Sequence, residues 1–190
     1  MNNWLTLPLE ERKVILQNIS EDREKNSIPD YAIEKDWWVT MVLKALFSVD
    51  CADSLLFKGG TSLSKGWGLI ERFSEDIDIS LSRNWFIQTK EMKELYPFAS
   101  CDNNNQLKNL RKASREIIFA QLSPELNVQL TDLGVKDFYV ENVTTFIKDG
   151  IEVPLDTDRD PVVINIVYPS ILGDTNEYIQ PKVKIEISCM

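Results

Sequence analysis

The stretch Phe57-Lys58-Gly59-Gly60-Thr61-Ser62-Leu63-Ser64-Lys65, followed by Ser74-Glu75-Asp76-Ile77-Asp78-Ile79-Ser80, decides how this chain folds. The short apolar run before Lys58 predicts a strand, and the two glycines after it predict a sharp turn that lets the backbone come close to a ligand. We expect a helix over residues 61–70 after this turn, and then a second strand that contains both aspartates.

This unit combines a predicted phosphate site with a predicted metal site. The first turn of a helix leaves backbone N–H groups unpaired at the positive end of the helix dipole. We therefore expect a phosphate cradle formed by Gly59, Gly60, Thr61 and Ser62. Because side chains alternate along a strand, Asp76 and Asp78 share one face. Two adjacent carboxylates repel each other, and a hard divalent cation such as Mg²⁺ or Mn²⁺ between them removes that repulsion.

The composition is that of a soluble globular protein and narrows the chemistry. The chain has 190 residues, of which 43% are hydrophobic and 27% charged, which suits one domain or a domain with a helical extension. It contains no histidine, which excludes Ser–His–Asp and Cys–His catalysis and all histidine metal sites within this chain. The net charge of −9 counts against non-specific electrostatic binding of nucleic acid over a wide surface.

Localisation is predicted to be cytoplasmic. The three cysteines are far apart in the sequence and form neither a disulfide framework nor a zinc pattern, which fits a reducing compartment. No apolar run is long enough to span a bilayer, and the first residues lack the character of a signal peptide. We therefore expect no membrane partner.

The rest of the chain predicts helices first and strands later, which gives an α+β fold with a small mixed, twisted sheet. Residues 8–19 and a longer segment with Pro29 in its first turn are expected to be helical, with Trp37 and Trp38 in the core and the segment 34–36 at a solvated edge. Helix 106–121 carries a basic stripe that is either a solvated face or a guide for a triphosphate or RNA, formed by Lys108, Arg111, Lys112 and Arg115. From Glu125 onward alternating apolar residues predict strands, and the acidic turn 156–160 is expected to face solvent.

Two segments of this sequence resemble the AbiEii-type family, nucleotidyltransferase toxins of bacterial toxin–antitoxin and abortive-infection systems. They are Lys58-Gly59-Gly60-Thr61-Ser62-Leu63-Ser64-Lys65 and Arg72-Phe73-Ser74-Glu75-Asp76-Ile77-Asp78. The glycine turn and the Asp-x-Asp strand, in this order and spacing, carry the resemblance. It implies a nucleotidyltransferase core over residues 51–190 and an N-terminal helical segment, 1–50, packed on it. It also implies a C-terminal helical part with a Lys-Asp-x-x-Asp motif that these 190 residues do not contain.

The resemblance also implies an activity and a set of site residues. The enzyme would transfer a nucleoside monophosphate from an NTP to an acceptor, with an RNA such as tRNA as the expected acceptor and a cognate antitoxin as a partner. Asp76, Asp78 and Glu186 would hold Mg²⁺ or Mn²⁺, and Lys65 and Lys184 would join the cradle in binding phosphates. The loop before the aspartates would be held by Arg72 and Ser74.

Two other interpretations remain open at the level of sequence. The acidic balance mildly favours a cationic small-molecule acceptor, and a protein hydroxyl is a further alternative. The other possibility is a catalytically silent nucleotidyltransferase fold that binds nucleotide as a regulatory module. A transfer assay with labelled nucleotide separates these interpretations.

Overall fold

The computed structural model of the chain describes residues 3–21, 28–71, 73–100, 103–173 and 180–189. These residues form the predicted α+β fold, in which a five-stranded mixed sheet packs against helices over a shared hydrophobic core. One core cluster contains apolar side chains from the long N-terminal helix, the sheet and the helices between the strands.

The helical segments of the described chain lie mainly before and between the two central strands of the sheet. They are α1 (Asn3–Thr6), α2 (Leu9–Glu21), α3 (Asp30–Leu46), α4 (Gly59–Thr61), α5 (Lys90–Leu95), α6 (Asn104–Ile117) and α7 (Ser123–Asp132). A π-helical turn, Ser62–Gly66, continues α4, and a second one, Ile118–Leu122, joins α6 to α7. In the described residues no helix combines the length and the apolar character that a membrane span requires.

Of the seven strands found in the described residues, five form the main sheet, in the order β1-β2-β7-β6-β3. The strands are β1 (Leu55–Lys58), β2 (Asp76–Leu81), β3 (Tyr139–Asn142), β4 (Thr145–Lys148), β5 (Ile151–Pro154), β6 (Val162–Val167) and β7 (Lys182–Cys189). The two central strands β2 and β7 run parallel, whereas β1, β6 and β3 pair antiparallel with their neighbours. Strands β4 and β5 form a separate hairpin.

The sheet has one apolar face and one polar face. Along β7 buried and half-buried residues alternate, and Val183, Ile185 and Ile187 are at most 1% exposed. Ile77 and Ile79 of β2 are fully buried on the same side. Helix α3 packs on β2 and β7, and α6 packs on β7, so the helices cover the apolar face. This burial fixes the register, because a slip of one residue would turn the isoleucines to the polar side.

Two predicted elements differ from the structure. Residues predicted as a strand after Glu125 belong to α7, where Leu126 and Leu130 are fully buried while Val128 is 52% exposed. This is the four-residue spacing of a helix, and the π turn before it carries the chain directly from α6 into α7. The predicted helix 61–70 ends at Gly66, because Gly68 has φ +62°, which a right-handed helix does not accept.

The polar residues at 34–36 do not form the solvated edge that the sequence predicts. Glu34 is 4% and Lys35 is 5% exposed. The Glu34 carboxylate accepts hydrogen bonds from the Ser170 hydroxyl at 2.7 Å and from the Ile171 N–H at 2.9 Å. These contacts tie α3 to the segment after β6. Buried charges need such partners, and a helical pattern does not reveal partners that lie more than a hundred residues away.

Glu34 gives the protein a pH-dependent contribution to stability. Burial raises the pKa of Glu34 above its ordinary value, against the opposing effect of the hydrogen bonds from Ile171 and Ser170. Since the folded-state pKa is the higher one, this contribution is fully present below the unfolded pKa and is lost as the pH rises through the folded value. Glu34→Gln keeps one acceptor and one donor for these partners but cannot ionise. We therefore expect the melting temperature of Glu34→Gln, relative to that of the wild type, to increase as the pH rises from 4.5, the ordinary pKa of Glu34, through the folded value.

The control for this experiment is Glu116→Gln, which removes a carboxylate from an exposed position of α6. Its melting temperature should follow that of the wild type across the same pH range, because Glu116 is exposed and none of the described buried residues bonds to it. If the melting temperatures of Glu34→Gln and wild type changed in parallel with pH, Glu34 would not be the source of the pH-dependent stability.

Candidate active site

The three predicted carboxylates lie on the polar face of the sheet, on its two central strands. In the parallel ladder between β2 and β7, Asp78 lies opposite Glu186 and Asp76 lies opposite Lys184. Residues directly opposite each other project to the same face, so the register brings these four charged side chains together. Asp76 is exposed, and the other three are half-buried. This face therefore concentrates three carboxylates around one lysine.

The glycine turn between β1 and α4 packs directly against one of these carboxylates. Gly59 has φ +74°, in the left-handed region that favours glycine. A Cβ atom at this position would lie 2.7 Å from Cγ of Asp78 and still closer to its Oδ2 atom. The absence of a side chain at Gly59 thus allows the backbone of the turn to approach the Asp78 carboxylate.

A buried hydroxyl joins the turn to the start of the aspartate strand. Thr61 is fully buried, and its hydroxyl oxygen lies 2.7 Å from that of Ser74 and donates to the backbone carbonyl of Asp76. Ser74 thus holds the loop before the aspartates, as predicted, whereas Arg72 lies outside the described residues. Because the Thr61 hydroxyl has these partners, a phosphate at this turn would be bound through backbone N–H groups.

The electrostatic environment of Asp76 disfavours its ionised form. Partial burial, together with the nearby carboxylates of Glu75 and Glu186, raises the pKa of Asp76, and the ammonium groups of Lys184 and Lys35 oppose this shift. Burial is the largest of these effects, and Lys184 is the largest opposing one. A bound cation would favour the ionised form by pairing with the carboxylates.

Lys184 holds Glu186 in an ion pair on the polar face. The hydrogen bond to Glu186 raises the pKa of Lys184, with the Asp76 and Asp78 carboxylates acting in the same direction and burial opposing them. Among the residues that the structure describes, no three His, Cys, Asp or Glu side chains form a ready metal-holding cluster. The oxygen donors suit Mg²⁺ or Mn²⁺ chemically, but Glu186 is engaged by Lys184.

Lys65, the other lysine predicted to bind phosphate, points toward α3. Its Nζ atom lies 2.7 Å from Oδ1 of Asp36 and 3.0 Å from the Thr40 hydroxyl. The side chain therefore links the π turn after α4 to the long helix. Both predicted phosphate-binding lysines are thus paired with a carboxylate in this structure.

Comparison with known proteins identifies the family. Residues 42–189 match the family model described as nucleotidyl transferase AbiEii toxin, type IV toxin–antitoxin system. The chain belongs to this AbiEii family. The match contains the glycine turn, both aspartates and Glu186, and membership implies a nucleotidyl transfer activity and a cognate antitoxin. Neither the curated proteins nor the solved structures gave a match.

One ion pair beside the AbiEii aspartates was missed by the sequence reasoning. Lys35, almost fully buried on α3, donates to the carboxylate of Glu75, the residue directly before Asp76. Its ammonium lowers the pKa of Asp76 and so partly offsets the effect of burial. The two residues are 40 positions apart, and no spacing rule connects a helix with a distant loop.

The basic stripe of α6 is partly engaged by the acidic turn 156–160. Arg111 Nε lies 3.9 Å from Oδ2 of Asp160, and Arg115 donates to the backbone carbonyl of Asp156 at 3.0 Å. The turn is largely exposed, as predicted, although Asp160 is half-buried beside Arg111. Lys108 and Lys112 remain exposed. Half of the stripe thus holds a neighbouring turn, which weakens its interpretation as a guide for a triphosphate or RNA.

A cavity of about 550 Å³ lies apart from the carboxylates. Its aromatic lining includes Trp4, Trp37 and Trp38, and residues 134–137 and 169–173 close its other sides. None of the predicted phosphate or metal residues contributes to this lining. The candidate active site of this AbiEii protein is therefore the polar face of the sheet and not the cavity.

Proposed function

We propose that this AbiEii protein is a metal-dependent nucleotidyltransferase that moves a nucleoside monophosphate from an NTP to an RNA acceptor, with tRNA as the first acceptor to test. As a toxin in the cytoplasm of a bacterium, it would arrest growth by modifying that RNA. The observation that carries this proposal is the register of β2 and β7, which sets Asp78 beside Glu186 with Asp76 on the same face.

The three carboxylates have the chemistry of a divalent-cation site. Asp76, Asp78 and Glu186 would hold Mg²⁺ or Mn²⁺ through their oxygen atoms. Bound there, the metal would neutralise the negative charge that develops on the phosphoryl and leaving-group oxygens. Glu186 would also accept the proton of the attacking hydroxyl group.

The ion pair between Lys184 and Glu186 would couple metal binding to phosphate binding. Lys184 pairs with one carboxylate oxygen of Glu186, and a cation bound by Glu186 would weaken that pair. The Lys184 ammonium group, which lies opposite Asp76, could then donate to a phosphate oxygen. The pair thus keeps both residues charged and in place before substrate arrives.

The glycine turn supplies the rest of the proposed triphosphate site. Gly59, Gly60, Thr61 and Ser62 lie in the first turn of a helix, where backbone N–H groups point outward toward an anion. The Thr61 hydroxyl already donates to the backbone carbonyl of Asp76, so Thr61 would bind the phosphate through its backbone N–H group. Lys65 would reach a phosphate by leaving Asp36.

A cationic small molecule is the second candidate acceptor. The net charge of −9 favours it, because an acidic protein attracts cations and repels the phosphate backbone of RNA. The contacts of Arg111 and Arg115 with the acidic turn also favour a small-molecule acceptor, because they leave fewer cations free to bind RNA. RNA remains our first choice because membership of a nucleotidyl transferase toxin family fits a macromolecular cellular target better.

A transfer assay tests the proposed function. The protein is incubated with Mg²⁺, each α-labelled NTP in turn and total bacterial tRNA, and parallel samples contain a chelator. We expect label on tRNA from one or more NTPs and its complete loss with the chelator. Label on a cationic small molecule but not on tRNA would favour the second acceptor class. Metal-independent nucleotide binding without transfer to any acceptor would favour a silent module and contradict the proposal.

A further inference from the structure

Lys58 reaches across the polar face of the sheet beside the carboxylates. It lies opposite Asp78 in the antiparallel ladder between β1 and β2, so its side chain projects to the carboxylate face. Its Nζ atom lies 3.4 Å from the hydroxyl of Ser188 on β7. Since β2 lies between β1 and β7, the Lys58 side chain must extend across β2 to make this contact.

The ammonium group of Lys58 differs from those of the other lysines near the site. Lys35, Lys65 and Lys184 are each paired with a carboxylate. Within the described part of the chain, Lys58 makes no ion pair, and the contact that its ammonium makes is with a neutral hydroxyl group. An ammonium group has three N–H donors, so Lys58 retains donors for a further acceptor.

A second polar group without a full set of partners, the Ser80 hydroxyl, lies on the neighbouring strand β2. Ser80 lies opposite Ser188, one row beyond Asp78 and Glu186. It is 3% exposed, and its hydroxyl has no hydrogen-bond partner among the described residues. Buried hydroxyl groups are normally paired, so an unpaired one opposite the residue that Lys58 contacts is unusual. Lys58, Ser80 and Ser188 together form what we call the Lys58 site.

We infer that the Lys58 site binds a phosphate oxygen of the substrate next to the metal-binding carboxylates. Three carboxylates repel an approaching phosphate. A fixed cation at Ser188, in the residue pair next to Asp78 and Glu186 on the same face, offsets that repulsion. Lys58 is the group placed to do so, because no carboxylate among the described residues pairs with its ammonium group. The inference rests on the proposed nucleotidyl transfer. The phosphate is either part of the triphosphate of the NTP or a phosphodiester of the RNA acceptor.

The test compares Lys58→Gln with wild type in two binding measurements. The first is the dissociation constant of each Mg²⁺–NTP by calorimetry, and the second is that of total bacterial tRNA by filter binding. We expect one of the two constants to rise about 10- to 100-fold, because the variant loses a charge-assisted hydrogen bond. A change in the first constant identifies the triphosphate as the source of the phosphate, and a change in the second identifies the RNA. Two unchanged constants would overturn the inference.

Matched variants separate a role in binding from a role in folding. Lys44→Gln removes the same charge from an exposed position of α3 and should leave both constants unchanged. Lys58→Arg should restore most of the affinity, because it returns a cation at the same place. Lys58→Met keeps an apolar stem of similar length across β2 and replaces Lys58→Gln if the latter fails to fold.

The two proposals can fail separately. Absence of transfer by the wild-type protein to any acceptor would remove the proposed function, while weaker binding of Mg²⁺–NTP or tRNA by Lys58→Gln would still place a phosphate at the Lys58 site. Normal binding by Lys58→Gln in a protein that needs both aspartates for transfer would remove only the Lys58 site.

Discussion

Asp76→Asn and Asp78→Asn are each expected to lower the rate of nucleotidyl transfer by at least about 10²- to 10³-fold. An amide keeps the size of the carboxylate but loses its charge and its strength as a ligand for a hard cation. The two residues are adjacent on the carboxylate face, and Asp78 also contacts the glycine turn, so loss of either charge should prevent the metal from being held between them. The measurement is the transfer of α-label to tRNA at saturating Mg²⁺.

The same substitutions should leave the fold intact, which makes the loss of activity interpretable. The pKa of Asp76 is raised mainly by partial burial, so its ionised form is disfavoured in the folded protein. Asp76→Asn removes that charge, and we expect a melting temperature equal to or higher than that of the wild type. Asp53→Asn, at the opposite end of β1, is the control and should change neither activity nor stability. Wild-type rates for Asp76→Asn or Asp78→Asn would remove these residues from the chemistry.

The parts of the site that the sequence could predict are those that depend on neighbouring residues. A glycine pair after an apolar run predicts a turn, and Asp-x-Asp on a strand predicts two carboxylates on one face, because both follow from local backbone geometry. The alternation of apolar residues in β7 likewise favours a strand, on which Lys184 and Glu186 share one face. The structure adds the register between β2 and β7, which turns two separate patterns into one cluster.

The parts that could not be predicted depend on contacts between distant segments. The partners of Glu34 and Lys35 lie 136 and 40 positions away, so a helical wheel shows two polar residues without showing that both are buried. Lys184 and Glu186 are two residues apart, which is the spacing of an ordinary exposed ion pair on a strand. The pairing of β7 with β2 is what places them beside the aspartates. Helix α7 was predicted as strand because its apolar residues at 126, 128 and 130 alternate, although Val128 faces solvent.

Gly59→Ala is expected to abolish transfer and to destabilise the protein, which is the second large effect. The residue has φ +74°, and a left-handed backbone costs an alanine about 1–2 kcal/mol. In addition, the new Cβ atom would lie 2.9 Å from Cβ and 2.7 Å from Cγ of Asp78. The Cβ atom of Asp78 is fixed by the backbone, so it cannot move away unless the strand or the turn shifts. Either movement separates the glycine turn from the Asp78 carboxylate.

Gly150→Ala separates the cost of the left-handed backbone from the clash with Asp78, because at Gly150 only the backbone cost is present. Gly150 has φ +77° in the hairpin between β4 and β5, and a Cβ atom there would meet no atom within 4 Å. We expect Gly150→Ala to lose about 1–2 kcal/mol of unfolding free energy and to retain full transfer activity. Gly59→Ala should lose more stability than this, together with nearly all activity, as measured by urea unfolding and label transfer. Equal stability losses and equal activities in the two variants would mean that Asp78 tolerates the side chain, and that close approach of the turn to the carboxylate is not what the site requires.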